Sequence, residues 1–478
     1  MKDSFARLVT FLKSELSSAQ RFFTGVIYPW VAVALALLSH LFGLEYLFGS
    51  LSVALLCIAL VFCDSGKPIL TFSLSIVFHV SLEHSPGVPN FSSYLFSGYR
   101  LALFAVLAIA VGCALVYHLI KYGVLKGLSI RIPGLIPLLL LSLAFLTNGA
   151  FSDGWSGRDL VHGLCQAAVY LGLYLLYYLT LERDGEHRLC EYLVFSSSAV
   201  AWLLILQVFA RLGGEGVIVD GAVNKDAMLF GWGVWNTAGV SLTVIIPLCF
   251  LGVMKSRHPV YYFVTAAVAY LASVLTMSRG ALLFGGIAFA TLCIVSCFFG
   301  EHKKLCRWVT AAGVCLCICG GAVLWGKISS LLRDFLDRGF DDNGRFELWR
   351  IGWENFLSAP VFGVGFFSFV SESFVVAEFF PKLAHQTFIQ LLSSMGLFGA
   401  LSYLYYRFVT VRSVLIRPSL VKWLLFASVL VLLAQSAIDT YMFRFHAIPL
   451  YSATLVIIEL MSADGKPTQS EKNNKLQK

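Results

Sequence analysis

Pro259–Phe299 reads PVYYFVTAAVAYLASVLTMSRGALLFGGIAFATLCIVSCFF, and only Arg279 in it carries a full charge. The runs 259–277 and 280–299 each approach the ~20 apolar residues that an α-helix needs to cross a bilayer. Inside lipid each backbone N–H and C=O must find a partner within the protein, so runs of this kind read as spanning helices. Their junction is Ser278-Arg279, which makes the chain turn back at one membrane surface and leaves the guanidinium there.

Working outward, twelve further apolar runs lie near 25–44, 46–63, 68–82, 101–120, 132–148, 160–180, 191–212, 236–254, 305–325, 386–406, 420–438 and 445–461. The fold class is therefore an all-α polytopic membrane protein with about 12–14 transmembrane helices; the run 68–82 is short enough to be re-entrant. Composition agrees, with 58% hydrophobic and 13% charged residues against roughly 25% charged in soluble domains. A soluble globular fold is excluded.

The 35 Lys and Arg then set the expected orientation. Alternating the loops places 23 of them on the face that holds both termini and 12 on the other; with the acidic residues this gives +12 and −4, which sum to the net +8. The positive-inside rule makes the first face cytoplasmic. The net charge is thus a topology signal and points to no nucleic-acid partner. The outer basic residues are a minority without a topological reason to be there, which makes them the first candidates for function.

Four parts follow along the chain. Residues 1–21 form an amphipathic cytoplasmic N-terminus, with Phe5, Leu8, Val9, Leu12 and Leu16 on one helical face. An N-terminal transmembrane bundle covers 22–212, a second transmembrane domain 213–461, and a polar disordered tail 462–478. The twelve cysteines lie in or beside the apolar runs and read as small apolar fillers of membrane helices.

The second domain contains the long outer loop 326–385, and connections this long are usually functional or disordered. Its aromatic content argues against disorder. The pattern predicts an amphipathic helix near Ile328–Arg338, a turn at Asp341-Asp342-Asn343-Gly344, and a second helix from Arg345 to about Leu357 with Phe346, Trp349, Trp353 and Phe356 at helical spacing. Gly363-Val364-Gly365 reads as a turn or, more weakly, as a phosphate loop. Phe379-Phe380-Pro381 follows, and His385 stands at the entry of the next run.

Arg279, Arg345 and His385 share one face on this topology. A planar guanidinium suits phosphate oxygens, and histidine changes charge near neutral pH and can accept a hydroxyl proton. Two cations and one imidazole are what transfer from a pyrophosphate-linked donor requires: the cations hold the leaving group's charge. Each also has a structural alternative, as a snorkelling or locally paired arginine or an interfacial histidine. Trp232 and Trp235 suit stacking on sugar rings and equally suit an interfacial aromatic belt. Asp439 and Arg444 flank the last outer turn and read first as a mutual ion pair.

Ser278-Arg279-Gly280-Ala281, Gly344-Arg345-Phe346-Glu347-Leu348-Trp349, Pro360-Val361-Phe362-Gly363-Val364-Gly365 and His385-Gln386-Thr387-Phe388-Ile389-Gln390 together resemble the O-antigen ligase and O-antigen polymerase superfamily, over roughly residues 200–440. The resemblance implies a GT-C-like membrane glycosyltransferase that needs neither metal nor cofactor. It would move a glycan from undecaprenyl pyrophosphate to an acceptor hydroxyl, on lipid A-core or another envelope glycan, at the outer face of a bacterial cytoplasmic membrane. Carried over, Arg279 and Arg345 bind the pyrophosphate and His385 activates the acceptor, with Asn236, Trp232, Trp235 and Gln386 as further glycan or acceptor contacts. Gln386 stands where the family commonly has Asn, and the proline often found before Asn236 is absent.

Two other functions compete: a polymerase of the same superfamily, and a transporter or flippase without covalent chemistry. Transporters carry ionisable groups at mid-membrane on repeated, broken helices. Here His79, His118, Gln207 and Gln435 are scattered and no internal repeat is visible, which favours a one-sided enzyme.

Overall fold

The computed structural model describes residues 17–81, 98–127, 132–219, 222–224, 227–323, 344–368 and 384–462. Among the described residues the regular structure is helical except for two short hairpins, Ile218–Val219 with Ala222–Val223 and Leu229–Phe230 with Gly233–Val234. In chain order the helices are α1 Ser17–Thr24, α2 Ile27–Phe42, α3 Glu45–Phe62, α4 Lys67–Ser75, α5 Gly98–Lys121, α6 Leu135–Leu146, α7 Gly157–Leu181, α8 Glu186–Leu212, α9 Trp235–Lys255, α10 Pro259–Leu275, α11 Ala281–Phe298, α12 Lys303–Val323, α13 Arg345–Ser358, α14 Thr387–Leu415, α15 Leu420–Ser436 and α16 Ile448–Leu460. Residues 168–172 of α7 and 281–285 of α11 take wider π turns without ending the helix.

All fourteen apolar runs are helical over most of their length, so the chain is an all-α polytopic membrane protein. Among the described residues seven helices are long and apolar enough to cross a membrane, and α1 with α2, bent by 63°, make an eighth. α6, α10, α15 and α16 are shorter apolar helices. The proposed helices at 1–16 and Ile328–Arg338, the turn 341–343, Phe379-Phe380-Pro381 and the tail from Ala463 lie outside the described residues.

α4 is the short run, and it stops inside the protein. After it a 3-10 turn, Ile76–His79, leaves carbonyls without helical partners, and neighbouring side chains supply them. Ser39 donates to the His79 carbonyl at 2.7 Å, His40 Nδ1 meets that of Val80 at 3.0 Å, and Gln207 donates to that of Phe78 at 3.0 Å. His118 likewise meets the Leu60 carbonyl, and Gln435 donates to Thr243. The four scattered mid-span polar residues therefore bind helix to helix.

The interval 407–419 between the apolar runs 386–406 and 420–438 is mostly helix, because α14 continues to Leu415 and carries Arg407 and Arg412. Lys422 is buried on α15, where its Nζ caps the end of α14 by donating to the carbonyls of Ser413 and Ile416. A cation there is favoured by the negative end of the helix dipole.

One irregularity positions the site. α14 breaks at Gly396, whose φ of 60° and ψ of −158° are non-helical, and the segment Pro360–Gly365 lies against the break. Val364 and Gly365 donate to the carbonyls of Ser393 and Ser394, and Leu397 and Phe398 to those of Pro360 and Val361. Gly363-Val364-Gly365 is thus committed to backbone pairing. From the other side, fully buried Asp159 accepts from Phe367 N at 2.9 Å, and Asn148 Oδ1 accepts from Phe366 N. A single hydrophobic cluster runs through this region from Val33 to Leu460.

A Cβ on Gly363 (φ 70°) would come 2.3 Å from the Ser394 carbonyl carbon, and one on Gly396 2.4 Å from the Val361 oxygen. Gly363→Ala and Gly396→Ala are each expected to destabilise by at least ~1–3 kcal/mol, since left-handed backbone strain adds to the overlap. Gly157→Ala, which meets nothing within 4 Å, is the neutral control. Thermal unfolding of the purified protein checks the contrast.

Candidate active site

The turn between α10 and α11 fixes Arg279. Gly239 on α9 lets Thr276, Ser278 and Ala281 approach closely, and Gly280 abuts Ile438 in the turn after α15. Met277 sits at φ 56°, an uncommon conformation for a branched-free but bulky residue, and leaves Arg279 exposed at the surface. The junction that the sequence placed at one membrane face is therefore wedged against the turn 437–441.

Arg345 is the first residue of α13, which follows left-handed Gly344 and has no side-chain cap. A helix N-terminus of this kind presents N–H groups and a partial positive charge. α13 is held on α14 and the segment leading into it by Leu348 against Ala384, with Ile351 and Ile389 beside them, and by Asn355 donating to Ser393.

These elements meet in a cleft of about 80 Å³ lined by Trp235, Asn236, Ser278, Arg279, Arg345 and Asp439, with Met277, Gly280, Ile438 and Tyr441 completing it. Four of the seven candidates, Arg279, Arg345, Asn236 and Trp235, thus converge from a stretch that spans 110 positions, 235 to 345.

His385 stands at the margin of the cleft and touches it through Asp439. Its Nδ1 lies 3.1 Å from Asp439 Oδ1, with the imidazole 41% exposed and the carboxylate 6% exposed. An ionised carboxylate only accepts, so Nδ1 carries the donated proton and Nε2 is left as the outward-facing nitrogen. His385 adopts φ 52°, another left-handed residue at this site. Its segment is tied down on every side: Gln390 Oε1 accepts from Ala384 N, Thr387 donates to the Asp439 carbonyl at 3.2 Å, and Gln386 accepts from Ile389 N as the cap of α14. Gln386 therefore supports the helix and does not support the imidazole.

Asp439 corrects the sequence reading, which paired it with Arg444. Burial alone would raise its pKa, but the hydrogen bond and charge of His385, the charge of Arg444 and the Thr440 N–H outweigh that and hold it well below the usual carboxylate range. Arg444 acts only through its field. Burial and the neighbouring Asp439 push Tyr441 well above the usual phenol range, so it faces the cleft as a neutral donor.

Trp232 lies elsewhere. Its ring is 7% exposed between Phe78, Phe230 and His446, and its Nε1 donates to Gln207 at 2.9 Å. Neither face is open to a sugar, because the hairpin Leu229–Val234 folds it down onto the end of α4. The described cysteines are free thiols, and no three His, Cys, Asp or Glu gather among the described residues.

Asp439→Asn, which removes the charge that orients the imidazole, is expected to lower turnover roughly 10²–10⁴-fold. The stability side has a definite sign. A carboxylate with a depressed folded pKa stabilises above its unfolded value of 3.8 and loses that contribution as pH falls further. The Tm gap between wild type and Asp439→Asn should therefore hold from pH 7 to 5 and narrow progressively as pH falls below about 4.

Fold and site together define a polytopic helical membrane protein with a cationic cleft among helix ends and turns and a carboxylate-oriented histidine at its edge. Residues 242–404, about a third of the chain, match the family described as O-Antigen ligase, which supports the resemblance to the O-antigen ligase superfamily. The match covers Arg279, Arg345 and His385 and ends before Asp439. No curated protein matches the chain.

Proposed function

We propose that the chain is a membrane glycosyltransferase that moves a glycan from a polyprenyl pyrophosphate to an acceptor hydroxyl at the outer face of a bacterial cytoplasmic membrane. The observation that carries this reading is the convergence of Arg279 and Arg345 on one cleft, beside a His385 whose Nδ1 is occupied by Asp439. Both guanidinium groups and the α13 N-terminus hold the pyrophosphate oxygens. His385 Nε2 takes the acceptor O–H proton as the oxygen attacks the anomeric carbon, and the bond from that carbon to the pyrophosphate oxygen breaks. The departing polyprenyl pyrophosphate keeps the electron pair, its added negative charge lying against the two arginines. Attack from the face opposite the leaving group inverts the anomeric carbon.

Asn236 and Trp235 line the same cleft and serve as glycan contacts. We assign the reaction to the ligase branch, on the resemblance of the His385 motif, with a lipid A-core or other envelope glycan as acceptor. The lipid-linked glycan profile of a deletion strain tests this. Finished polymer stranded on the carrier is the expected result; stranded single repeats mean a polymerase, and glycan trapped on the cytoplasmic face means a flippase and overturns the enzyme reading.

A further inference from the structure

Just after Asp439 the chain makes a 3-10 turn, Tyr441–Phe443, whose three residues are buried. Among the described residues the carbonyls of Met442 and Phe443 receive no backbone N–H. Buried carbonyls of this kind need a partner. Both find one on α7: the Tyr170 hydroxyl donates to Met442, 272 positions away, and Gln166 Nε2 donates to Phe443 at 3.1 Å, 277 positions away. Gln166 and Tyr170 stand one turn apart on the same face of α7, the second within the wider π turn 168–172. Both side chains are buried.

Ring packing repeats the connection. Phe145 of α6 stacks on Tyr170 at 5.6 Å and meets Phe443 edge-on at 6.2 Å, and Phe366 meets Phe443 at 5.6 Å. From the other side Thr387 donates to the Asp439 carbonyl. The segment is thus pinned on both flanks of the carboxylate, and its placement decides whether Asp439 Oδ1 stands 3.1 Å from His385 Nδ1. α6 and α7 lie outside the matched residues 242–404, as Asp439 does.

We infer that Gln166 and Tyr170 are positioning residues that act from α7, holding the 441–443 turn where Asp439 meets His385; their effect on rate rests on the glycan-transfer reading. Neither side chain lines the cleft. Their influence therefore passes through Asp439 and leaves the two arginines as they are. A misplacement of about 1 Å at a reacting centre lowers rate by as much as ~10²-fold, so two hydrogen bonds remote from the cleft have a measurable effect.

The test uses the full chain in nanodiscs, with Tyr170→Phe and Gln166→Leu made in the wild-type and in the Asp439→Asn background. In the wild-type background each is expected to lower kcat roughly tenfold, with donor KM and the affinity for inorganic pyrophosphate unchanged. In the Asp439→Asn background each should lower it less than about twofold, because residues that act through one shared partner are not additive. Tyr177→Phe removes the hydrogen bond of an equally buried tyrosine to Ser73 on α4 and is the control that keeps wild-type kcat. Equal losses in both backgrounds, or a pyrophosphate affinity that falls together with kcat, overturn the assignment, since either makes the two residues general supports of the fold.

A second measurement does not depend on turnover. Diethyl pyrocarbonate modifies an exposed imidazole nitrogen, and the hydrogen bond from Nδ1 to a carboxylate makes Nε2 the better nucleophile. The modification rate of His385, followed by mass spectrometry, should fall in Tyr170→Phe and Gln166→Leu toward that of Asp439→Asn. Wild-type rates in both α7 variants overturn the assignment. Rates that fall in a protein that transfers no glycan leave the positioning role standing and remove the transferase reading.

Discussion

His385→Ala is expected to abolish glycan transfer in a protein that still inserts, folds and binds its donor. Loss of a positioned general base lowers rate by roughly 10²–10⁴-fold, and no other imidazole among the described residues lines the cleft. The imidazole is 41% exposed, so its removal leaves no buried cavity and little reason to unfold. His385→Gln is the sharper comparison. It retains a donor for Asp439 but supplies no basic nitrogen, and it should be as inactive as the alanine variant. Radiolabelled transfer in detergent, with thermal unfolding on the same preparations, separates lost chemistry from lost folding.

Arg279→Ala and Arg345→Ala form the second large effect. Each removes one permanent cation from the position where the leaving group's charge develops, and loss of one such contact usually lowers turnover by roughly 10²–10³-fold. The double variant should bind a pyrophosphate-bearing lipid far more weakly than either single one. Lysine restores little, because an ammonium is a point charge without the planar fork that grips two oxygens. Equilibrium binding of inorganic pyrophosphate to the purified chain reads this without turnover. Wild type and His385→Ala should bind alike, and the arginine variants more weakly.

Much of this architecture was legible in the amino-acid order. The fourteen apolar runs and the helix at Arg345 follow from hydrophobic length and 3.6-residue spacing, which act locally. The absence of a loop at Ser278-Arg279 predicts a cation where the chain turns back, and the structure shows Arg279 exposed in the turn between α10 and α11. What the order did not disclose was set by contacts between distant segments. Asp439 lies 54 residues from His385, and its obvious neighbour in sequence, Arg444, drew the pairing that the structure corrects. Trp232 and Trp235 are three residues apart and look alike in sequence, yet a hairpin turns one into the core and leaves the other on the cleft.

Gly363-Val364-Gly365 shows the same limit. Its glycines could be read as a turn or as a phosphate loop, and only the break at Gly396 reveals why they are needed. The apolar run 386–406 stops short of the end of α14 because Arg407 interrupts it by charge. Three tyrosine rings around its guanidinium allow it to sit on a helix instead.

The most direct test of the central claim follows the donor's C–O bond. The purified chain in nanodiscs is given a polyprenyl-pyrophosphate glycan and an acceptor glycolipid, and free polyprenyl pyrophosphate is measured together with acceptor-bound glycan. One carrier released per glycan transferred, with both lost in His385→Ala, is the predicted result. A donor that stays intact while the glycan crosses the bilayer of a proteoliposome would contradict it.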